Sequence, residues 1–355
     1  MRKKMFVVLL LVLVITAGIF AQGQKGAAEQ RLKVGAIVPT LNAQFWNNYV
    51  EFMKKGADAL GVDLIVLNCD NKADLLPKYI EDLVSQRVDG MIVVPYWAGD
   101  KKALRDTKAA NIPLIFTDTY SDVQPQSKDY PNYIAFLGPG DEEAGYQMAK
   151  KLFNTMVPNN QGKKVVGWVE GTPGTSVAID RNLGFERAVK EHPEVVVAGK
   201  VNGNFVRDES MAAFESLYQA NPDIKGVWAA NGGTATGVIT AIQNAGKVPG
   251  KDVLVVGMDL NPENVDAVRD GYLLFDIGGH WLQGGFAIVV MYDWLNGHKV
   301  AAKDANVKLD LLPLTKDTVS AFETKYPGGV PAYDFKLHSR TYTPDGPFAA
   351  IELKY

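Results

Sequence analysis

The feature that most constrains the fold is a repeated alternation of two kinds of segment. Short runs of apolar, often β-branched residues are each followed by a longer stretch whose apolar residues recur at helical spacing. The short runs do not alternate between apolar and polar residues, which is typical of strands buried on both faces of a parallel sheet. Repeated βα units of this kind predict right-handed crossovers and a doubly wound α/β fold.

The repeats fall into two sets of comparable size, separated by the polar segment 120–131. In the first set we expect strands at Leu32–Val38, Val62–Leu67, Met91–Val94 and Leu114–Thr117, and helices at Gln44–Leu60, Leu75–Gln86 and Asp100–Ala110. In the second set we expect strands at Tyr133–Leu137, Lys164–Val169, Val195–Lys200, Gly226–Ala229, Val253–Val256 and Leu273–Ile277, and helices at Glu142–Thr155, Thr175–Lys190, Asp208–Ala220, Thr234–Ala245, Pro262–Arg269 and Trp281–Asn296. From about Lys303 the pattern weakens, and several prolines predict a loop-rich tail.

Residues 1–23 predict a secretory signal peptide. Three basic residues, Arg2-Lys3-Lys4, precede an apolar run from Met5 to Phe20, and small and polar residues follow it. The run is shorter than the roughly 20 residues that span a bilayer, which argues against the alternative of a membrane anchor. Because no cysteine follows the run, we expect a protein that is not a lipoprotein and is free in the periplasm or extracytoplasmic space. Residues 24–31 are a predicted linker.

Charge and cysteine content exclude several classes of protein. With 37 basic and 40 acidic residues, the chain has no basic excess, so we expect no binding to nucleic acid. One cysteine, Cys69, rules out an internal disulfide framework and a cysteine zinc cluster. We find no phosphate-loop, dinucleotide, zinc-protease or hydrolase-elbow motif, so we expect neither an enzyme nor a cofactor. A secreted carbohydrate-acting enzyme that uses Asp118 and Asp259 remains an alternative.

Ligands of doubly wound sheets bind beyond the carboxyl ends of the strands. The residues that follow the predicted strands combine aromatic rings, two carboxylates and one amide: Phe45, Trp46, Trp97, Asp118, Asn231, Asp259 and His280. Such a mixture suits a neutral polyhydroxylated ligand, because rings stack on its C–H faces and its hydroxyl groups need polar partners. The alternative is purely structural: Trp46 and Trp97 would pack in the core or an interface, the two acids would cap strands or helices, and His280 would be a packed histidine.

An ordered set of segments resembles the type I periplasmic binding proteins. The segments are residues 38–46, the strand that ends at Asp118, residues 174–185, the pair Ala230-Asn231 and residues 255–259. The resemblance covers nearly all of residues 32–300 and is greatest to ribose-binding-like, sugar-binding subunits of ABC importers. It implies two doubly wound Rossmann-like lobes joined by a three-segment hinge, with crossings near Leu137, Gly279 and Leu311. The implied lobes are residues 32–137 plus 280–310 and residues 138–279 plus 311–355.

The resemblance also implies roles for individual residues. Phe45 and Trp46 would be aromatic clamps and Asp118 a hydroxyl acceptor on the first lobe, and Arg181, Asn231, Asp259 and Phe205 would contact the ligand from the second lobe. Without the resemblance, Arg181 would be a solvated charge on a helix surface. Ribose binders have asparagine, arginine, often an acid, and glutamine at the positions of Ala43, Thr119, Gly232 and Gly279. These departures argue against ribose itself, and Trp97 and His280 would reshape the pocket.

We therefore expect an extracytoplasmic solute-binding protein. It would capture a small sugar or sugar-like ligand by domain closure and deliver it to the permease of an ABC transporter, acting as a monomer. The alternative is a signalling receptor of the same fold, for autoinducer-2 or a chemotaxis ligand. A repressor with the same core is disfavoured, because an export signal stands where a DNA-binding helix-turn-helix would be required.

Overall fold

The computed structural model describes residues 31–355, so the predicted signal peptide and residues 24–30 of the predicted linker lie outside the described residues. Strands and helices alternate along most of this range. The strands are β1 (Lys33–Val38), β2 (Asp63–Asn68), β3 (Gly90–Val93), β4 (Leu114–Thr117), β5 (Tyr133–Pro139), β6 (Lys164–Glu170), β7 (Val195–Asn202), β8 (Gly226–Ala229), β9 (Leu254–Val256), β10 (Asp276–Gly278), β11 (Asn306–Leu309) and β12 (Leu312–Leu314). The helices are α1 (Gln44–Leu60), α2 (Leu75–Ser85), α3 (Asp100–Ala110), α4 (Asp141–Thr155), α5 (Ser176–Glu191), α6 (Arg207–Ala220), α7 (Gly232–Asn244), α8 (Pro262–Asp270), α9 (Gln283–Leu295) and α10 (Val319–Lys325).

Two parallel sheets divide these elements into two lobes. Within residues 31–355, the first sheet has the strand order β11-β5-β4-β3-β1-β2, and the second has the order β7-β6-β8-β9. We call the first sheet with α1, α2, α3 and α9 the first lobe, and the second sheet with α4 to α8 the second lobe. The central strands β3 and β4 are buried along their whole length, as their almost wholly apolar sequences predict. Both lobes belong to one compact unit, residues 33–355.

The chain passes between the lobes three times between β5 and β12. It leaves the first sheet after β5, returns between β10 and α9, and leaves again between β11 and β12, which pairs with β10 in an antiparallel ribbon. The two doubly wound lobes and the three-segment hinge predicted from the sequence are thus confirmed. No helix within residues 31–355 is both long and apolar enough to cross a membrane.

Local sequence explains most of the boundaries. Helix α1 begins and ends where the spacing of apolar residues predicts, and Gly61 ends it with a left-handed φ of 72°. The expected strand Leu273–Ile277 overlaps β10, which begins at Asp276 and pairs with the distant strand β12. The residues before β10 make parallel backbone hydrogen bonds to the β9 segment, among them the Leu274 N–H to the Val255 carbonyl.

The expected loop-rich tail was wrong in part. The range after Lys303 contains β11, β12 and α10, and β11 pairs in parallel with β5 at the edge of the first sheet. Strand β11 is largely solvent-accessible, and its mixed sequence Asn306–Leu309 lacks the apolar run that marks the other strands. An edge strand of this kind is therefore hard to recognise from periodicity alone.

The remainder of the tail contacts both lobes. Phe335 packs on Phe52 of α1 with 5.1 Å between ring centroids, and Asp293 of α9 accepts a hydrogen bond of 2.6 Å from the Ser339 hydroxyl. Near the other end of the tail, Leu353 lies beside Gly279 at the crossing between β10 and α9. The predicted lobe limits assign the whole tail to the second lobe, whereas its middle packs on the first.

Candidate ligand-binding site

A cavity of about 670 Å³ lies between the lobes, at the carboxyl ends of the strands. All nine residues predicted from the sequence line this cavity: Phe45, Trp46, Trp97, Asp118, Arg181, Phe205, Asn231, Asp259 and His280. The two lobes also touch on both sides of it. The Tyr120 hydroxyl donates to Asp180 at 3.0 Å on one side, and the Asn48 amide donates to Asn261 at 3.3 Å on the other.

Aromatic rings form the wall that the first lobe contributes. Phe45 and Trp46 stand in the first turn of α1 and meet edge to face at 4.9 Å, and Trp46 contacts Tyr96 at 6.1 Å. Trp97 continues the series, at 5.7 Å from Tyr96. Trp46 is 7% exposed and belongs to the hydrophobic core as well as to the cavity wall, so the expected core packing is found and its contact with a ligand stays a prediction.

Asp118 follows β4 directly and projects into the cavity from the first lobe. Its backbone is left-handed, with a φ of 65°, a conformation that aspartate tolerates better than most residues. The buried side chain of Gln283 accepts a hydrogen bond from the Asp118 main-chain N–H at 3.0 Å, and its amide lies 3.4 Å from the carboxylate. Burial raises the pKa of Asp118, and the charge of Arg181 partly opposes that rise.

Arg181 is a buried residue and not the solvated surface charge that the helix pattern alone suggests. It is 3% exposed; its Nε donates to Asp141 at 2.7 Å and its Nη1 to the Ala230 carbonyl at 2.9 Å. Its guanidinium lies 5.5 Å from the centroid of the Phe205 ring. Burial raises the pKa of Asp141 to about 7 in spite of the guanidinium beside it. The ion pair fixes Arg181 at the floor of the cavity.

Asn231 and Asp259 follow β8 and β9 in the second lobe. Asn231 caps α7, because its Oδ1 accepts from the Thr234 main-chain N–H at 2.8 Å. Asp259 accepts from the Gly232 N–H at 3.0 Å, so it caps this same helix, whereas the alternative read from the sequence was a cap on α8. Burial raises the pKa of Asp259 to about 7. The Asp259 backbone has a φ of 119° and lies close to Gly278. A Cβ added at Gly278 would lie 2.3 Å from the carbonyl carbon of Asp259.

His280 closes the inner end of the cavity at the crossing between β10 and α9. Its ring packs on Phe45 with 4.7 Å between centroids, and its Nε2 lies 3.7 Å from the Asp259 carboxylate. Among the described residues its buried Nδ1 has no hydrogen-bond partner. Burial holds the pKa of His280 well below its usual value, so the ring is neutral. The packed histidine expected as an alternative therefore also lines the cavity.

Phe205 faces the cavity from the second lobe. Its backbone is left-handed, with a φ of 61°, and its ring lies over Gly171 at the end of β6. A Cβ at Gly171 would come within 2.0 Å of the ring, so only glycine leaves room for it. The ring therefore has a fixed place opposite the aromatic wall of the first lobe.

Sequence reasoning missed three polar residues of this site. Tyr96 lies directly after a predicted strand, but only its neighbour Trp97 was selected; its hydroxyl lies 3.4 Å from Asp118. Asp141 follows β5 at the same edge of the sheet, so its position after a strand could have identified it as a site residue. Gln283 carries no local signal, because its contact with Asp118 joins residues that are 165 positions apart.

The sequence is similar to a family of binding proteins and to individual members of it. A model of the periplasmic binding protein domain matches residues 34–299. The ribose import binding protein of Escherichia coli is 32% identical over 273 residues, which cover 76% of this chain and 87% of that protein. The galactofuranose-binding protein of the same organism is 31% identical over 61% of this chain and 68% of its own length.

A solved structure agrees with these matches. A periplasmic sugar-binding protein from Pseudomonas fluorescens superposes with a TM-score of 0.78 and 27% identity, over 88% of this chain and 95% of that one. The family model spans more than half of the chain, and the relatives match along most of their own length. The chain therefore belongs to the periplasmic binding protein family, with the type I fold that its sequence predicts.

Proposed function

We propose that this protein is an extracytoplasmic solute-binding protein that captures a small sugar or sugar-like ligand and delivers it to an ABC transporter. One observation carries the proposal: both lobes contribute residues to the same cavity, and those residues are the nine that the sequence singles out. Relatives named for binding ribose and galactofuranose support the class of ligand. The cavity volume falls in the range of roughly 300–1,000 Å³ that is usual for small-molecule sites.

The wall chemistry supports a polyhydroxylated ligand. Aromatic rings from both lobes, Trp46 and Phe205 among them, offer faces for C–H groups, and Asp118, Asn231 and Asp259 offer acceptors for hydroxyl groups. The buried ion pair of Arg181 with Asp141 fixes one polar group in place before the ligand arrives. Such an arrangement binds and orients a ligand, and the relatives are named for binding and import.

Capture would proceed by closure of the lobes around the ligand. We propose that an open form dominates without ligand and that the ligand, by contacting both lobes, favours the closed form. Only contacts made in the closed form and lost in the open form can shift this equilibrium. The monomeric closed form would then dock on the permease. We further propose that residues 1–23 direct export and are removed, which the mass of the protein recovered from a periplasmic extract would test.

The ligand can be identified directly. Mass spectrometry of small molecules that co-purify with the protein would be followed by thermal-shift screening of pentoses, hexoses, polyols, amino sugars and nucleosides. Since a ligand that binds only the folded state stabilises it, a hit raises the melting temperature. Binding only of nucleosides, or of amines without hydroxyl groups, would overturn the proposal.

Asp118→Ala tests the assignment of the site. The substitution removes a buried partner of the ligand and should weaken binding by about 1–3 kcal/mol. Asp58→Ala, which removes an exposed carboxylate from α1, is the matched control and should leave affinity unchanged. Equal affinity of Asp118→Ala and the parent protein would show that the site is wrongly assigned.

A further inference from the structure

The cavity between the lobes is lined by more acidic than basic side chains. Its lining contains five carboxylates, Asp118, Asp208, Glu209, Asp259 and Glu263, and two guanidinium groups, Arg181 and Arg207. The neutral ring of His280 adds no positive charge. Low-dielectric walls focus the field of such a set of charges, which raises the local concentration of cations. The charges of the lining therefore influence whether the cavity favours a neutral, cationic or anionic ligand.

Both guanidinium groups already have carboxylate partners. Arg207 is paired with Glu263 at the rim of the cavity. Arg181 forms an ion pair with Asp141, which does not line the cavity. Its Nη1 also donates a hydrogen bond to the Ala230 carbonyl. Arg181 therefore shares its single charge between Asp141, which it touches, and the more distant Asp118 and Asp259.

The carboxylates of the second lobe are partly balanced by helix N-termini. Asp208 lies in the first turn of α6 and Glu263 in the first turn of α8, where the helix dipole favours negative charge. Asp259 accepts the Gly232 N–H at the start of α7. Local structure thus accounts for these acids, and none of them requires a cationic ligand.

Asp118 lies at no helix N-terminus and touches no cation, and only the more distant charge of Arg181 partly compensates it. It is 3% exposed, and no cationic nitrogen among residues 31–355 lies within 4.0 Å of its oxygens. Its carboxylate contacts come from Tyr96, Thr119 and Gln283, at 3.4, 3.5 and 3.4 Å. These distances exceed the 2.7–2.9 Å or so that is usual for a charge-assisted hydrogen bond. A buried carboxylate without a close cation or a short hydrogen bond is costly to keep ionised.

The surroundings of Asp118 also suit a cation. Tyr96 touches the carboxylate and packs edge to face with Trp46 and Trp97, and all three rings line the cavity. Aromatic faces attract cations, more strongly where water is excluded. The neutral ring of His280 also lines the cavity, so it adds a polar group without a competing positive charge.

We propose that the ligand is a cationic polyhydroxylated amine, an amino sugar or an iminosugar, whose ammonium group pairs with Asp118. Its hydroxyl groups contact Asn231, Asp259 and His280 on the other side of the cavity. This inference rests on the proposed capture of a sugar-like ligand and departs from the neutral ligand that the sequence pattern suggests. It also implies that sugar acids and sugar phosphates are excluded, because a second anion beside Asp118 would be repelled.

Matched ligand pairs test the proposal by isothermal titration calorimetry at pH 7. One pair is 1,4-dideoxy-1,4-imino-D-ribitol and 1,4-anhydro-D-ribitol, which differ by an amine in place of the ring oxygen. Others are glucosamine and galactosamine against their neutral parent sugars and N-acetyl derivatives. We expect at least one amine to bind ten or more times as tightly as its neutral partners.

Asp118→Asn connects the preference to the residue. It keeps the shape of the side chain and removes its charge, so the ratio of amine to neutral affinity should fall towards one. Asp58→Asn, in an exposed part of α1, should leave the ratio unchanged. If a neutral sugar binds as tightly as its amine or more tightly, the cationic ligand is wrong while sugar capture stands. If neither neutral nor cationic members of the panel bind, both proposals fail.

Discussion

Gln283 and Asp118 hold each other in place although 165 positions separate them in the sequence. The Asp118 main-chain N–H donates to Gln283 Oε1 at 3.0 Å, and Gln283 Nε2 lies 3.4 Å from the Asp118 carboxylate. Gln283 is the first residue of α9, directly after the chain crosses from the second lobe to the first. One side chain thus joins the hinge to a residue of the candidate site.

Gln283→Met should weaken ligand binding several-fold without removing any atom that lines the cavity. The substitution removes one of two acceptors of the Asp118 N–H, which keeps its hydrogen bond of 3.0 Å to the Leu137 carbonyl. It also removes the amide beside the carboxylate, and the loss of hydrogen bonds of this kind costs about 0.5–1.5 kcal/mol. Isothermal titration of the ligand found by screening measures the loss. Gln243→Met, at an exposed position of α7, is the control and should bind like the parent protein. An unchanged affinity in a folded Gln283→Met protein would contradict the positioning role.

Tyr120→Phe should weaken binding several-fold by destabilising the closed form. The Tyr120 hydroxyl donates to both carboxylate oxygens of Asp180, at 3.0 and 3.1 Å, so it joins a first-lobe loop to helix α5 of the second lobe. A hydrogen bond of this kind contributes about 0.5–1.5 kcal/mol, and that energy is available only when the lobes are closed. Stopped-flow measurements should show faster dissociation of the ligand.

Tyr272→Phe is the matched control for this hydroxyl. Tyr272 is an exposed tyrosine of the second lobe that neither lines the cavity nor joins the two lobes. Its substitution should change neither affinity nor dissociation rate. Equal dissociation rates for Tyr120→Phe and Tyr272→Phe would show that the Tyr120–Asp180 contact does not hold the closed form.

Gly171→Ala should displace Phe205 and lower both stability and affinity. The new methyl group would lie 2.0 Å from the Phe205 ring, and overpacking of this kind costs about 1–3 kcal/mol. Urea unfolding and ligand titration measure the two effects. Gly140→Ala is the control, because a Cβ there would meet its nearest neighbour, the Leu309 carbonyl, at an ordinary 3.6 Å. If the two alanine variants bind equally well, the position of Phe205 does not matter for binding.

Elements set by local sequence were predictable, and those set by distant pairing were not. Helices α1 and α3 have the predicted bounds because their apolar spacing and their end residues lie within the segment itself. Strand β10 does not, because its bounds depend on antiparallel pairing with β12, a strand that contains Pro313. Leu274 and Phe275, which precede β10, instead make parallel backbone hydrogen bonds to the β9 segment.

In the candidate site, too, features set by local sequence were predictable and those set by distant contacts were not. Asp118 and Asn231 were predictable because each directly follows a strand, and the carboxyl ends of parallel strands meet at one edge of the sheet. The contacts that fix them were not, since Gln283 reaches Asp118 across the hinge and Asp141 reaches Arg181 from another helix. The orientation of His280 depends in the same way on its packing against Phe45.

Asp276 lies outside the cavity lining, and its buried carboxyl group should lower the free energy of unfolding as the pH rises. Its side chain is completely buried in β10, one oxygen accepts from the Leu260 N–H at 3.1 Å, and the other has no partner among the described residues. Burial, with the negative charge of Asp259 nearby, raises the pKa of Asp276 well above its usual value. In the unfolded chain the pKa of an aspartate is about 3.9.

The sign of the effect follows from these two states. Above about pH 4 the unfolded chain releases the Asp276 proton while the folded protein retains it, so the free energy of unfolding falls as the pH rises towards the folded pKa. Asp276→Asn cannot ionise and should lose this part of the pH dependence. Urea unfolding without ligand at pH 5, 6.5 and 8 should show a smaller loss of stability for Asp276→Asn than for the parent protein. The exposed control Asp317→Asn should follow the parent. Because Asp118, Asp141 and Asp259 remain in every variant, identical slopes for Asp276→Asn and the parent would mean that Asp276 is ionised in the folded protein.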